Sequence, residues 1–160
     1  MPVVRPGVIR EKIIVDGNID SVFEFISDFS NVHLWDPGVN KSTPDTNYDR
    51  LMITIGTSYR LEVEFNGNKM VMDYTITKYE APNEVVLEGE GDHIRAIDSI
   101  KFKQIENGKV EIDYEVNLTL KGWLRPFILF LYSSLNKLGR TAKSGIENYF
   151  KYKNKNGLLK

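Results

Sequence analysis

The feature that most constrains this chain is a change of hydrophobic period near residue 122. Between residues 39 and 121, apolar and polar side chains alternate, as they do along half-buried β-strands. The alternation is clearest from Val110 to Leu120, where each apolar side chain is followed by a polar one. After Gly122, apolar residues recur at steps of one, three or four, which is the spacing of one helical face. The sequence therefore predicts an antiparallel meander followed by a long helix.

The first 38 residues predict a strand and two short helical turns. The run from Val8 to Val15 ends at a turn-forming Asp-Gly-Asn sequence and is typical of a strand. Asn18 is the expected N-cap of the helix that follows, and a second short turn should end near Trp35, before the Pro-Gly pair. The first helix should place four apolar side chains on one face: Val22, Phe25, Ile26 and Phe29.

The last apolar pattern predicts a helix from about residue 126 to residue 151. Pro126 suits the first turn of a helix, because that position needs no backbone N–H donor. A helix of this length runs on the order of 38 Å, which is enough to cross a small domain. The tail from Lys151 to Lys160 is expected to fray.

A sheet with one apolar face needs a second layer to cover it, and only the last helix is long and apolar enough. We therefore expect an α+β fold in which a curved antiparallel seven-stranded sheet wraps around a long C-terminal helix. Two short helices should follow the first strand. The sequence contains no linker-like segment and no internal repeat, so residues 1–160 should form a single domain with its core at about 8–150.

Charge and cysteine content narrow the function classes. The 21 Lys and Arg side chains nearly balance the 22 Asp and Glu side chains, which argues against a surface built throughout for nucleic acid. The chain has no cysteine, which excludes disulfides, thiolate metal sites and cysteine nucleophiles. No stretch resembles a signal peptide, and the longest apolar run, Phe127 to Tyr132, is far shorter than the roughly 20 residues of a membrane span. We expect a cytoplasmic protein that binds no nucleic acid.

No catalytic or cofactor motif stands out. His33 and His93 lie far apart in the sequence and lack the spacing of metal ligands on one element. No phosphate-binding loop, nucleophile elbow or dinucleotide fingerprint is present. We therefore expect no metal and no cofactor. Most strand carboxylates should lie on the solvated outer face of the sheet: Glu62, Glu64, Asp73, Glu111, Asp113 and Glu115.

Asp98 is the exception among the strand carboxylates. It shares the period of Ile94, Ala96 and Ile100, so it should point inward with them. An inward carboxylate costs several kcal/mol unless it is paired, hydrogen-bonded or neutralised. Arg95 would be a partner only across a bulge, because it points outward in a regular strand. Two interpretations stay open: a structural polar network or bulge, or contact with a ligand.

Three tyrosines on the same face form the other candidate group. Tyr59, Tyr74 and Tyr114 each combine an apolar ring with a hydroxyl group, which suits an amphipathic ligand in a mostly apolar pocket. Ordinary core tyrosines would show the same pattern. The candidate ligand-binding residues are Trp35, Tyr59, Val63, Met72, Tyr74, Asp98, Tyr114, Leu131, Leu135 and Leu138.

The last quarter of the chain is basic, since residues 121–160 hold nine Lys or Arg and one acidic residue, Glu147. Such a segment either contacts anionic lipid headgroups at a membrane surface or simply solvates the outer face of the helix. The residues concerned are Lys137, Arg140, Lys143, Lys151, Lys153 and Lys155.

A nearby apolar group is expected at a cavity mouth or at a dimer contact: Trp123, Leu124, Phe127 and Phe130. The oligomeric state stays open.

A second kind of signal is the order of short motifs between residues 8 and 150. The segment from Ile19 to Asp28 is a predicted helix whose last two residues are Ser-Asp. Val32 follows, and then a Trp-Asp-Pro-Gly-Val turn at Trp35 to Val39. Later motifs are Gly56 to Tyr59 before the third strand, Asp98 to Ile100 in the sixth strand, and Pro126-Phe127 at the final helix. This order resembles the polyketide cyclase/dehydrase-like branch of the START-related (SRPBCC) superfamily.

The resemblance implies a helix-grip fold with a hydrophobic cavity between the long helix and the concave sheet. Members of the superfamily bind lipids, polyketides, quinones or hormones, and a minority are cyclases or aromatases. We therefore expect a binding or carrier protein for a small hydrophobic or amphipathic ligand, such as a lipid, a quinone or a polyketide-like molecule. Two alternatives stay open. One is a cyclase, aromatase or dehydratase in which Asp98 or a tyrosine moves a proton, and the other is a co-chaperone-like protein-interaction module.

Overall fold

The main element of the computed structural model, which describes residues 7–157, is one antiparallel sheet. Its strands are β1 (Val8–Asp16), β2 (Val39–Pro44), β3 (Ser58–Phe65), β4 (Asn68–Glu80), β5 (Glu84–Glu90), β6 (Ile94–Ile105) and β7 (Lys109–Leu120). The sheet order is β1-β7-β6-β5-β4-β3-β2, so β2 to β7 form the predicted meander and β1 pairs with β7. The predicted α+β fold, with a curved seven-stranded sheet and a C-terminal helix, is confirmed.

Two short helical elements connect β1 to β2. Helix α1 (Ile19–Ser27) begins where the Asn18 side chain accepts a hydrogen bond from the Asp20 backbone N–H, at 2.9 Å. This confirms the predicted N-cap. A 3₁₀ turn over Phe29–Leu34 follows, and the Asp28 side chain caps it by accepting from the Ser30 N–H at 3.0 Å. These caps fix the direction in which the chain returns toward the sheet.

The last helix begins later than the sequence predicts. Residues Gly122–Leu131 form a 3₁₀ segment that contains Pro126, and α2 covers Tyr132–Lys155. In a 3₁₀ segment, side chains three residues apart share a face. Ile128 and Leu131 therefore face the sheet together, while much of the remaining apolar sequence is exposed. Over ten residues that are almost all apolar, a repeat of three cannot be distinguished from the 3.6-residue repeat of an α-helix.

The C-terminal end of α2 is also longer than predicted, because residues 151–155 are helical and not frayed. The buried Phe150 ring anchors this end against Phe25, with ring centroids 5.8 Å apart. One turn further on, the Asn154 amide donates to the Asp16 carboxylate at 3.3 Å. Residues 156 and 157 form the turn that ends the helix, and residues 158–160 of the predicted frayed tail lie outside the described residues.

Two glycines let α2 lie close to its neighbours. A Cβ atom at Gly139 would collide with the Ile9 side chain of β1, and one at Gly145 would collide with the backbone carbonyl oxygen of Trp35. Between and beyond them, α2 turns an apolar stripe toward the sheet: Leu135, Ala142, Ile146 and Phe150. The helix is thus held against β1 on one side and against the Trp35 turn on the other. No helix in the described part of the chain combines the length and hydropathy that crossing a bilayer requires.

The two faces of the sheet differ as the sequence predicts. The outer face carries exposed ion pairs, such as Arg60 with Asp73 at 2.8 Å. The inner face is filled near α1, where the Phe23 ring packs edge-on against Tyr79 and Phe102 at centroid distances of 5.2 and 5.1 Å. The opposite end of the inner face, beneath the beginning of α2, is hollow.

Candidate ligand-binding cavity

A cavity of about 610 Å³ lies between α2 and the concave face of the sheet. This volume is within the usual range for small-molecule sites. The walls come mainly from β3, β4, β6 and β7, from the 3₁₀ segment and from the first half of α2, with smaller parts from β1, from β2 and from the turns before β2. They are mainly aliphatic, as these examples show: Leu61, Met70, Val116, Leu118, Ile128 and Leu135.

Most of the predicted site residues meet at this cavity. Those that line it are Val63, Met72, Tyr74, Asp98, Tyr114, Leu131, Leu135 and Leu138. Trp35 and Tyr59 do not line it and are instead fully buried behind its wall. Both pack against the Phe29 ring, at centroid distances of 6.3 and 6.2 Å, and Phe29 itself faces the cavity. The inward direction predicted for Tyr59 is right, but neither residue contributes to the cavity wall.

Asp98 lies on the inner face of β6 and is only 3% exposed. Its strand pairs with β7 in an unbroken register, so no bulge is present there. Arg95 accordingly points outward and pairs with Glu88 and Glu90. The Tyr114 hydroxyl donates a hydrogen bond of 2.5 Å to Asp98 Oδ2. Asp98 Oδ1 is buried and has no hydrogen-bond partner among the described residues.

The buried position of Asp98 changes its acidity. Burial raises the pKa of the Asp98 carboxyl group to about 7, and the nearby Asp36 charge adds to this, while the hydrogen bond from Tyr114 acts in the opposite direction. Burial also raises the pKa of the Tyr114 and Tyr74 hydroxyl groups, and the Asp98 charge contributes to both. Near neutral pH the cavity therefore holds neutral tyrosines beside a carboxyl group that is close to its titration midpoint.

Asp36 is a cavity residue that the sequence does not reveal. It lies in the Trp-Asp-Pro-Gly-Val turn, where its Oδ1 accepts a hydrogen bond from the Gly38 N–H at 2.9 Å. A turn-forming aspartate is normally exposed, and the sequence pattern gives no sign that α2 covers this one. Burial raises the pKa of Asp36, and the Gly38 hydrogen bond only partly offsets that effect. The cavity thus has two carboxyl groups of raised pKa.

Tyr74 owes its orientation to a missing side chain on the neighbouring strand. Gly89 of β5 lies opposite Tyr74 of β4 in the register. A Cβ atom at Gly89 would lie 2.5 Å from Cζ of the Tyr74 ring, so the ring rests directly on the glycine. Because Gly89 has no side chain, it leaves the room that the Tyr74 ring occupies.

The rim of the cavity carries most of the remaining polar groups. His93 is exposed at the loop before β6, near Asp92, and Lys69 and Glu64 are exposed where β3 and β4 meet. His33 lies elsewhere, exposed on the 3₁₀ turn after α1. The polar groups of the site are thus the exposed rim, the half-buried Asp36, the Tyr74 hydroxyl, and the buried pair of Asp98 and Tyr114.

A model of one known protein family matches most of this chain. The family model described as polyketide cyclase/dehydrase and lipid transport matches residues 7–144. A search among curated proteins gives no significant match.

Solved structures of the same fold come from bacteria and plants. A START superfamily protein from Mycobacterium smegmatis superposes with a TM-score of 0.75 at 13% identity, covering 91% of this chain and 97% of that one. The Zhui aromatase/cyclase from a Streptomyces species gives a TM-score of 0.69 at 8% identity, covering 89% and 90%. The major latex-like protein 151 from Panax ginseng gives 0.66 at 12% identity, covering 90% and 97%. At these identities the likeness shows the fold alone.

The raised pKa of Asp98 predicts a specific pH dependence of stability. The folded-state pKa of about 7 lies above the ordinary value of 3.8, so the native protein holds this proton more tightly than the unfolded chain does. The resulting stabilisation is present at acidic pH and is lost as the pH rises through 7. In Asp98→Asn this loss should be absent, so the variant should gain stability relative to wild type, by up to roughly 3 kcal/mol between pH 4.5 and pH 8.

Urea denaturation of both proteins at the two pH values measures this difference. Asp113→Asn serves as the control, because Asp113 is an exposed carboxylate next to Tyr114 on the outer face of β7. If the stability difference between wild type and Asp98→Asn is the same at pH 4.5 and pH 8, the raised pKa of Asp98 is wrong.

Proposed function

The chain belongs to the polyketide cyclase/dehydrase and lipid transport family, and we propose that it is a binding or carrier protein for a small hydrophobic or amphipathic molecule. The ligand would be lipid-, quinone- or polyketide-like and would lie between α2 and the sheet. The observation that carries this proposal is the cavity of about 610 Å³, with mainly aliphatic walls and one buried polar pair. That combination suits a molecule with an apolar body and a single polar end.

The energetics of the core support a binding role. Protein interiors are normally close-packed, and a hollow lined by apolar side chains forfeits the dispersion contacts that would otherwise stabilise the fold. Val116 illustrates the exception: it lies on the inner face of β7, between β1 and β6, yet it is only partly buried because it faces the cavity. A ligand that fills the space would restore these contacts.

Filling the cavity with protein should abolish binding. In Val116→Trp the indole ring would occupy part of the hollow, so the affinity for the neutral hydrophobic dye Nile red should fall at least tenfold. Asn117→Trp is the matched control, since the next residue on β7 is exposed on the outer face and adds the same ring there. Fluorescence titration measures the affinity, and far-ultraviolet circular dichroism checks that both variants fold.

The outcome that would overturn the carrier proposal is a folded Val116→Trp protein that binds Nile red as tightly as wild type. The dye would then bind at the surface, and the hollow would have no role in binding. Equal losses in both tryptophan variants would lead to the same conclusion.

Asp98 favours an enzyme as the second candidate function. A carboxyl group with a pKa of about 7, an unpartnered oxygen and a position on the cavity wall has the properties of a general base. Cyclases and dehydratases of poly-ketone chains begin by removing a proton from carbon next to a carbonyl group. In this chain the carboxylate of Asp98 would take that proton, and the hydroxyl of Tyr114 would hold the carboxylate in place.

Proton exchange in a simple ketone tests the enzyme candidate. If Asp98 acts as a base, the wild-type protein should speed the exchange of the α-protons of 2-decanone with D₂O at least tenfold over buffer, as followed by proton NMR. Asp98→Asn should lose the effect, whereas Asp113→Asn should keep it. Exchange at the buffer rate in the wild-type protein would rule this candidate out.

An exposed aromatic cluster beside the cavity supports a peripheral membrane contact. In the 3₁₀ segment, Trp123 and Phe130 are 78% and 82% exposed, and Phe127 lies between them with ring centroids 6.0 and 6.1 Å away. The same segment supplies Ile128 and Leu131 to the cavity wall. Ligand could therefore pass between a bilayer and the cavity along one short element.

The charges around the cluster match an anionic bilayer. Arg125 is exposed within the segment, and Lys137 and Arg140 are exposed on the first turns of α2. None of these three forms an ion pair with another residue of the described range 7–157. Tryptophan and phenylalanine flanked by basic residues are typical of surfaces that rest at the headgroup level.

Vesicle co-sedimentation tests the membrane contact. The wild-type protein should bind vesicles of phosphatidylcholine with 30% phosphatidylglycerol at least tenfold more tightly than pure phosphatidylcholine vesicles. A triple variant with serine at Trp123, Phe127 and Phe130 should lose this binding. The control is serine at Leu51 and Met52, which are exposed apolar residues on a different turn. Equal binding by the triple variant and wild type would contradict the proposal, and so would a change of oligomeric state in the triple variant, which would assign the cluster to a subunit contact.

A further inference from the structure

The apolar cavity has one buried polar atom whose hydrogen-bonding capacity is unused. Asp98 Oδ1 has no hydrogen-bond partner among the described residues, whereas Oδ2 accepts from Tyr114. A buried oxygen of this kind normally costs free energy unless something donates to it. Asp98 is one of the residues that line the cavity, so a ligand bound there is a group that could reach the carboxyl and supply that donor.

The charges of the cavity argue against an anionic ligand end at this position. The carboxyl groups of the half-buried Asp36 and the buried Asp98 both border the cavity. The cationic side chain among the described lining residues is Lys69, which is exposed at the rim, and the imidazole of His93 is also at the rim. A carboxylate placed against Asp98 would therefore meet like charge without a buried counter-ion.

A hydroxyl group can bond to Asp98 in either protonation state of the carboxyl, which an ether, a ketone or a carboxylate end cannot. When Asp98 is ionised, the hydroxyl donates to Oδ1, and when Asp98 is protonated, the hydroxyl accepts from it. An ether or ketone oxygen can bond only to the protonated form, because it has no proton to donate. The pKa of about 7 means that both forms of Asp98 are present near neutral pH.

We infer that the cavity selects an amphipathic ligand whose polar end is a hydroxyl group donated to Asp98 Oδ1, with the apolar body lying along the walls of β6, β7 and α2. The inference rests on the proposed binding function and adds the chemical class of the polar end. Its geometric basis is the unpartnered, buried oxygen at the side of an otherwise apolar hollow.

A pair of isomers isolates the contribution of the donated proton. 1-Decanol and 1-methoxynonane have the same atoms, but only the alcohol has an O–H group, and the ether is the more hydrophobic of the two. If hydrophobic burial alone determined binding, the ether would bind at least as tightly. The inference predicts that 1-decanol displaces Nile red from wild-type protein at pH 8 with at least tenfold higher affinity than 1-methoxynonane.

Decanoate and the Asp98→Asn variant test the charge argument. Wild-type protein should bind decanoate at pH 8 more weakly than 1-decanol, and the ratio of the two dissociation constants should fall at least fivefold in Asp98→Asn. The change in this ratio is the informative quantity, because the cost of dehydrating decanoate is the same for both proteins. Asp113→Asn should leave the ratio unchanged.

The possible outcomes separate this inference from the binding proposal itself. If none of the three compounds displaces Nile red from wild-type protein, the proposed binding function fails together with the inference. If the ether binds as tightly as the alcohol, binding stands and the hydroxyl inference is overturned. An Asp98→Asn protein that folds and keeps the wild-type ratio also overturns it, and the isomer comparison decides the question even if that variant does not fold.

Discussion

The packing of one helix across one wide sheet determines the rest of this structure. Seven strands spaced about 4.8 Å apart span roughly 29 Å, whereas a helix is about 10 Å wide. A single helix covers such a sheet only if the sheet curls toward it, and even then the two surfaces do not meet everywhere. Gly139 and Gly145 bring α2 close to β1 and to the Trp35 turn. Where the helix is held away from β6 and β7, a hollow remains.

The side chains around that hollow divide the molecule into a filled end and a hollow end. Near α1, the Phe23, Tyr79 and Phe102 rings fill the space between the layers. Beneath the first half of α2, aliphatic side chains line the space but do not fill it. The polar groups of Asp98 and Tyr114 lie in this second region, where burial without a full set of partners opposes folding. Binding sites often combine an apolar hollow with a few buried polar groups, as this region does.

Much of the architecture could be predicted from the sequence because the inner and outer faces of the sheet differ strongly in polarity. The two-residue period located the strands and indicated that Asp98 points inward and Arg95 outward, as the register of β6 with β7 shows. The two-residue period indicates on which face of the sheet a side chain lies, but it does not indicate which other side chains cover it. Tyr59 is therefore inward as predicted, yet it packs against Phe29 and does not line the cavity.

Two other features depend on tertiary packing that the sequence pattern does not encode. Asp36 lies in a turn against which the distant α2 packs, through Gly145 beside Trp35 and Leu138 beside Gly38, so its raised pKa could not be read from the turn motif. The 3₁₀ form of residues 122–131 was hidden because nearly every residue there is apolar and any helical period fits. That segment turns three aromatic rings outward, where a regular amphipathic helix would have buried some of them.

A ligand held between α2 and the sheet would have Asp98 at one wall of its site. A crystal structure of the protein grown with 1-decanol tests this arrangement. We expect an elongated molecule between α2 and strands β6 and β7, with its oxygen within hydrogen-bonding distance of Asp98 Oδ1. A structure in which side chains fill this space, or in which α2 lies away from the sheet, would contradict the account.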